Sequence, residues 1–347
     1  MDIVYRPKFT RSAKLVRLLT EASSLSSWVE RQMVDVSWVP KIQRDALVCL
    51  AHYSTKIEGN PLTLPEVEAL SRGKDLPIEE KAKQEVLNYF AVLRWIWTQS
   101  PEKAIREKDL LRLHGILTRG VLIEDESGAY KVKPNVVYGH GKVIYRPPPP
   151  EAVAILTCSL LAWLNSKESH QDHAAIAAAI AHHRLVSIHP FSDGNGRAAR
   201  SLGSWVLYRR DFDTHHIFAL DEFFEHDRDR YYREIQAVRD NDDDLSVWLE
   251  YIGEGIVETL RKTQARIQVL RAKNPEAKII LNRRQERILQ ILSQTPRMGG
   301  GELARVLGVT RSHLGKLLKP LLKIGLAGKE GSTKAAVYYL AGIERLY

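Results

Sequence analysis

Ile188–Arg200 reads I-H-P-F-S-D-G-N-G-R-A-A-R. An alanine-rich pattern of helical period over His173–Ile188 ends at this stretch, and a second one follows over Arg197–Arg209. Pro190 and two glycines keep the first helix from running into the second. Gly194 and Gly196 can adopt positive φ and let backbone N–H groups turn inward. A glycine loop that feeds a helix N-terminus is an anion site, because unpaired N–H groups and the helix dipole both favour negative charge.

The side chains of the loop suit a nucleoside triphosphate. Arg197 and Arg200 are three apart, share a helix face and can both grip phosphate oxygens. Asp193 offers the hard carboxylate oxygen that Mg²⁺ on a polyphosphate requires. Asn195 can donate an amide hydrogen to an α-phosphate oxygen, and His189 can take the proton of an incoming hydroxyl. Base, metal ligand and charge neutralisation for in-line attack at phosphorus therefore fall within one short segment. Singly, each of these residues has an ordinary structural use, such as a core histidine or a tight turn. Together, at fixed spacing, they point to a site.

Outward from the loop, helical periodicity predicts a mainly α fold: Ala13–Ser24, Ile42–Ile57, Glu79–Trp97, Glu107–Thr118, Pro150–Asn165, Arg228–Arg239 and Trp248–Lys273. Lys131–Tyr145 breaks the pattern, with β-branched residues on both sides of Tyr138–Gly141, and predicts a β-hairpin. A lone hairpin is marginally stable, which makes this one a candidate flap. A polar stretch with Pro275 marks a domain boundary. Beyond it, Glu302–Leu307, Gly308–Thr310 and Arg311–Leu322 read as helix, turn, helix, and Lys329–Leu340 as two strands. The chain has 347 residues and 44% hydrophobic composition, enough for more than one core. Its two cysteines, Cys49 and Cys158, argue for a reducing compartment, and no apolar run is long enough to span a membrane. The expectation is a cytoplasmic protein. Ile280–Tyr347 holds twelve Lys/Arg against four Asp/Glu, a net +8 out of +9 for the whole chain. That asymmetry suggests a polyanion partner for the C-terminal module, although solubility explains it equally.

His189–Arg200 resembles the Fic family motif H-x-F-x-[D/E]-G-N-G-R-x-x-R at every defined position. The resemblance covers roughly residues 41–256. It implies a helical Fic core and transfer of AMP from ATP to a Ser, Thr or Tyr hydroxyl of a protein, with Mg²⁺. By position, His189 would be the general base, Phe191 a loop anchor and Asp193 the metal ligand. Gly194, Asn195 and Gly196 would cradle the α- and β-phosphates, Arg197 would bind the β-phosphate and Arg200 the γ-phosphate. The flap of this family pairs with the target segment by strand addition. Here it would be residues 136–143, within a hairpin of 130–146, with Val137, Tyr138, Gly139 and His140 nearest the nucleotide. Lys131 or Lys133 stands where the family usually has Arg. Tyr231 and Tyr232 would line the adenosine pocket and Arg239 would lie close by, while aromatic packing in a helical core explains the tyrosine pair equally.

Ser54–Asn60 reads S-T-K-I-E-G-N and matches the family's inhibitory motif [S/T]-x-x-x-E-[G/N]. Arg200 cannot serve both Glu58 and a γ-phosphate, so the match implies low resting activity, with Ser54 bracing the helix. The implied domains are an N-terminal helical region over 1–105 carrying the inhibitory helix at about 42–60, a Fic core over 106–270, and a winged helix over 280–347. Winged helices often set their second helix in the DNA major groove, here through 311–334 with Arg311, Ser312, His313, Lys316 and Lys319 on the helix and Lys329 and Lys334 on the wing. Pro320 is expected to kink or end that helix. A homodimer is compatible with the architecture. Three alternatives stay open: a nucleotide-sensing DNA-binding regulator, AMP removal by the same site, and transfer of another phosphate-containing group.

Overall fold

Small side chains decide the centre of the fold. The helix α8 (Ala174–Ile188) buries every residue except Ala174 and Arg184, and its alanines let neighbouring helices approach from several sides. It packs against α9 (Asn195–Arg209), α6 (Pro150–Leu164) and α12 (Ser246–Lys273). On α12, Trp248 is fully buried and its indole N–H donates to the Ala179 carbonyl at 2.8 Å. The outer face of α12 carries α1 (Ala13–Arg31), and α5 (Glu107–Thr118) closes over α9.

The computed structural model describes residues 5–31, 39–139, 141–213, 216, 217, 219–273, 281–295, 297–323, 326–331 and 336–341. Among them are fifteen helices, a two-stranded sheet and a three-stranded sheet, in two compact units made mainly of residues 1–274 and 275–347. No helix among the described residues is long and apolar enough to cross a membrane.

The first unit contains three helices that periodicity missed: α3 (Leu64–Ser71), α7 (Lys167–Gln171) and α10 (Leu220–His226). Each is about two turns or shorter, too little for a periodic pattern to declare itself. The helix α2 (Val39–Ile57) ends in a turn in which Gly59 takes φ 95° and its N–H donates to the Lys56 carbonyl at 2.9 Å. The hairpin forms as expected, with β1 (Val137–Gly139) antiparallel to β2 (Lys142–Tyr145). It is tied to the body by the Tyr145 hydroxyl, which donates to the Ser187 carbonyl at 2.8 Å. The helices α4 (Glu80–Thr98) and α11 (Arg228–Asp240) complete the parts that matter for the site.

The second unit has its own apolar core of Ile288, Ile291, Leu292, Leu303, Leu314, Leu318 and Leu321. It orders α13 (Arg283–Gln294), β3 (Met298–Gly299), α14 (Gly300–Val306), α15 (Arg311–Lys323), β4 (Ala327–Glu330) and β5 (Val337–Leu340), with the strands in the order β3-β5-β4. Pro320 lies inside α15, which continues past it to Lys323, so it does not end the helix there. Pro320 and Lys316 are both exposed, so water can solvate the carbonyl that loses its helical partner.

Truncating Trp248 to Ala should cost about 3–5 kcal/mol of stability. A denaturant titration of the first unit should show a lower midpoint with an unchanged slope.

Candidate active site

Two turns meet at the site: the end of α2 and the loop between α8 and α9. His189 caps α8 in the left-handed region, φ 50°, and Pro190 prevents continuation. The loop is then held from inside. Asn195 accepts from the Phe191 N–H and donates to the Phe191 carbonyl, both at 2.9 Å. The His114 ring stacks on Phe191 at 3.7 Å between centroids. Its Nδ1 accepts from the Gly128 N–H at 3.0 Å, so Nε2 carries the proton and donates to the Asp193 carbonyl at 3.0 Å. Lys131 N–H donates to the Pro190 carbonyl at 2.9 Å, and Asn135 donates to the Phe191 carbonyl at 3.0 Å.

The loop geometry adds to what its sequence spacing implies. Asn195 closes the loop on Phe191 with its carbonyl and one of its two amide hydrogens. The second helix begins at Asn195 rather than Arg197, and of the two glycines only Gly194 has positive φ, 76°. The first-turn N–H groups of α9 have no partner within the helix, and donors of this kind suit an anion. Gly196 matters for space. A Cβ built there would lie 2.1 Å from Glu58 Oε1, so the missing side chain makes room for the glutamate.

Arg200 is 2% exposed. Its Nε donates to Ser54 Oγ, and its Nη2 donates to the Ser54 carbonyl and to Glu58 Oε1, each at 2.8 Å. Behind it, Asp221 Oδ1 lies 3.1 Å from Nε, and the Tyr231 hydroxyl is 3.5 Å from Nη1. Burial opposes the Arg200 charge, but Glu58, then Tyr231 and Asp221, hold its pKa above the usual value. Asp221, buried on the short α10, had no signal in the sequence; burial pushes its pKa up to about 6 against the pull of Arg200. Arg197 is also buried, between Glu85 Oε1 at 3.3 Å and Asp193 Oδ2 at 3.4 Å.

The outlying residues divide. Tyr231 is in the core, its hydroxyl 2.9 Å from His182 Nε2 and its ring stacked on Phe224, and does not line an open adenosine pocket. Tyr232 is half-buried, with its hydroxyl donating to the Ile57 carbonyl at 3.4 Å beside Glu58. Arg239 stacks on Tyr145 at 3.6 Å and donates to the Val186 carbonyl at 3.2 Å, bracing the hairpin and the helix that ends at His189. On the flap, Val137 and Gly139 are partly buried and Tyr138 is 68% exposed. His140 and Lys334 lie outside the described residues.

His189 is mostly buried, and desolvation, the largest cause, lowers its pKa from 6.5 to about 4. Its Nδ1 lies 3.2 Å from the Val186 carbonyl, which can only accept. Nδ1 therefore carries the proton, and Nε2 is left as a lone-pair acceptor at neutral pH. Asp193 keeps a side chain that is 58% exposed at the mouth of the site. Among the described residues no cluster of three or more His, Cys, Asp or Glu is arranged to hold a metal. A single accessible carboxylate beside a phosphate seat fits a divalent ion that arrives with a polyphosphate.

Residues 104–207 match the model of the Fic/DOC family. The chain is 28% identical over 249 residues to protein adenylyltransferase Fic of Aedes aegypti, covering 70% of this chain and 46% of the relative. It is 29% identical over 259 residues to the protein of the same name from Drosophila mojavensis, covering 72% and 49%. The chain thus spans about half the length of the curated relatives it matches. In fold it resembles a Fic family protein from Desulfovibrio desulfuricans G20, with a TM-score of 0.69 and 23% identity over 97% of this chain and 99% of the other. It also resembles Fic-1 from C. elegans, with a TM-score of 0.64 and 23% identity over 74% of each. The matched segment supplies the loop, Asp193, Arg197 and Arg200. Glu58, Ser54, Asp221 and Tyr231 come from outside the matched segment.

Four buried histidines set a pH dependence. Burial lowers the pKa of His189 and of His114 to about 4, of His183 to about 3, and of His182 further below its usual value. Between pH 6.5 and about 4 the unfolded chain takes up protons that the folded chain refuses, so stability is lost as pH falls. Asp221, raised from 3.8 to about 6, acts in the opposite sense but is one group against four. Thermal midpoints should therefore fall steadily from pH 7 to pH 4.5; a midpoint that rises on acidification would contradict the assignment.

Proposed function

We propose that this protein transfers AMP from ATP to a Ser, Thr or Tyr hydroxyl of a protein, itself included, and that Glu58 holds it in a low-activity state. The observation that carries the reading is the ion pair of Glu58 with the buried Arg200 beside the glycine loop. The hydroxyl oxygen attacks the α-phosphorus and its proton passes to Nε2 of His189. The bond from the α-phosphorus to the bridging oxygen breaks and pyrophosphate leaves. The N–H groups that open α9 bind the α- and β-phosphate oxygens, Arg197 neutralises the β-phosphate, and Arg200 receives the γ-phosphate once Glu58 withdraws. Mg²⁺, held by Asp193 and the phosphates, would neutralise charge on the departing pyrophosphate. The hairpin supports target binding, since it presents Tyr138, Val143 and Ile144 exposed beside the loop.

The geometry of His189 argues against a pure nucleotide sensor, which has no need of a buried imidazole with a free Nε2. Glu58→Gly should raise transfer from α-labelled ATP by at least about tenfold. Adding His189→Ala should abolish it, and mass spectrometry of the Glu58→Gly protein after ATP and Mg²⁺ should find AMP on a hydroxyl residue. Equal transfer by wild type and Glu58→Gly would remove the brake.

For the second unit, the exposed face of α15 supports docking on duplex DNA. Arg311, Ser312, Lys316 and Lys319 are all exposed on it, and a Cβ at Gly315 would meet nothing, leaving the backbone open to close approach. Lys316→Glu with Lys319→Glu should weaken retention of DNA in filter binding by about tenfold or more and flatten its salt dependence. Retention that is independent of these charges would set the DNA reading aside.

A further inference from the structure

Both arginines of the loop are buried, and each stands between two acids of unequal exposure. For Arg200 the shielded acid is Asp221, with a side chain 2% exposed, and the accessible one is Glu58, at 32%. For Arg197 the shielded acid is Glu85, at 15%, and the accessible one is Asp193, at 58%. A phosphate entering from solvent can displace the accessible acid of each pair. The shielded acid stays and keeps the guanidinium charged and aimed.

Glu85 has a second attachment. Its Oε1 faces Arg197 Nη1 at 3.3 Å, while its Oε2 accepts from Asn60 Nδ2 at 2.8 Å. The Asn60 amide also donates to the Ala82 carbonyl at 2.9 Å, and its Oδ1 accepts from the Leu62 N–H at 3.2 Å. These partners fix the amide orientation, because the Ala82 carbonyl and the Glu85 carboxylate can only accept. Asn60 is two residues beyond Glu58 in the same turn, and its backbone N–H is tied to the Thr55 carbonyl at 3.1 Å. The turn at the end of α2 therefore reaches both arginines, Arg200 directly through Glu58 and Arg197 through Asn60 and Glu85.

The geometry points to Glu85 as the positioning residue for Arg197, with Asn60 as the link that couples it to the inhibitory turn. This rests on the adenylyl-transfer reading, in which Arg197 meets the β-phosphate. Glu85 touches no substrate. It sets the direction of the guanidinium that does, and its second oxygen makes that direction depend on where the α2 turn stands.

Glu85→Gln isolates the effect. A glutamine has the same shape but a single acceptor oxygen, so it cannot satisfy both Arg197 and Asn60. Nucleotide binding to the Glu58→Gly protein and to Glu58→Gly with Glu85→Gln is measured by calorimetry, using ADP and AMP. Only ADP carries a β-phosphate. The second substitution should weaken ADP binding about tenfold and leave AMP unchanged, the loss of one charge-assisted contact. Asn60→Asp, which sets a carboxylate against Glu85 without touching it, should produce the same ADP-specific loss. Equal losses for ADP and AMP would mean a damaged fold and overturn the positioning role, as would unchanged or tighter ADP binding. No nucleotide binding by the Glu58→Gly parent would overturn the adenylyl-transfer reading along with it, whereas normal parental binding without an ADP-specific loss would overturn the coupling alone.

Discussion

A guanidinium removed from water must keep its charge compensated and its N–H groups occupied, and Arg200 meets both demands within one small volume. Ser54 from α2 and Glu58 from the turn that follows it take its donors on one side, and Asp221 from α10 stands behind it. Its five N–H groups lie in one plane with fixed directions, so an added phosphate oxygen has to take a place that something else now holds. Ser54 is fully buried and Asp221 nearly so, whereas Glu58 is the partner that reaches solvent. The arrangement has one exchangeable position, and that is where a terminal phosphate would arrive. The rest of the site is organised around keeping this arginine, and its neighbour Arg197, in place.

The loop that carries both arginines is rigid for a separate reason. Its side chains satisfy one another: Asn195 closes on Phe191, His114 stacks on Phe191 and bonds the Asp193 carbonyl, and Asn135 takes a further carbonyl. With the carbonyls occupied by side chains, the N–H groups at the start of α9 remain for a ligand. Pre-organised donors of this kind need no rearrangement when charge develops on a phosphate. The same burial that fixes the loop keeps His189 neutral and His114 a structural donor. Two imidazoles with similarly lowered pKa values thus have different uses, because His114 has both nitrogens bonded whereas His189 keeps Nε2 as an acceptor.

Much of this was legible in the sequence. Periodicity located the long helices because they bury one face each, and the β-branched run around Gly139 and Gly141 marked the hairpin. The loop residues were legible because their spacing is short and local. What escaped was whatever depends on tertiary placement. Asp221 belongs to a helix too short to show a period, and nothing beside it in sequence signals an ion pair with Arg200. Glu85 reads as one of many charges on α4 until the fold sets it between Asn60 and Arg197. Tyr231 and Tyr232 are adjacent in sequence, yet one enters the core and the other borders Glu58, because neighbouring positions on a helix point about 100° apart. Asn195 also closes the loop on Phe191, a contact that spacing along the chain does not announce. Pro320 was expected to kink or end its helix, which continues past it, since water can solvate the carbonyl on that exposed face.

The central claim is that Glu58 and a γ-phosphate compete for the same face of Arg200. The most direct measurement is the affinity ratio of ATP to ADP, determined by calorimetry on the wild-type protein and on Glu58→Gly. The account predicts that wild type scarcely distinguishes the two nucleotides, because the γ-phosphate finds its seat taken. Glu58→Gly should prefer ATP by about tenfold, the worth of one charge-assisted contact regained. A wild-type protein that already prefers ATP as strongly as the variant does would show that the seat is open while Glu58 is in place, and would contradict the account.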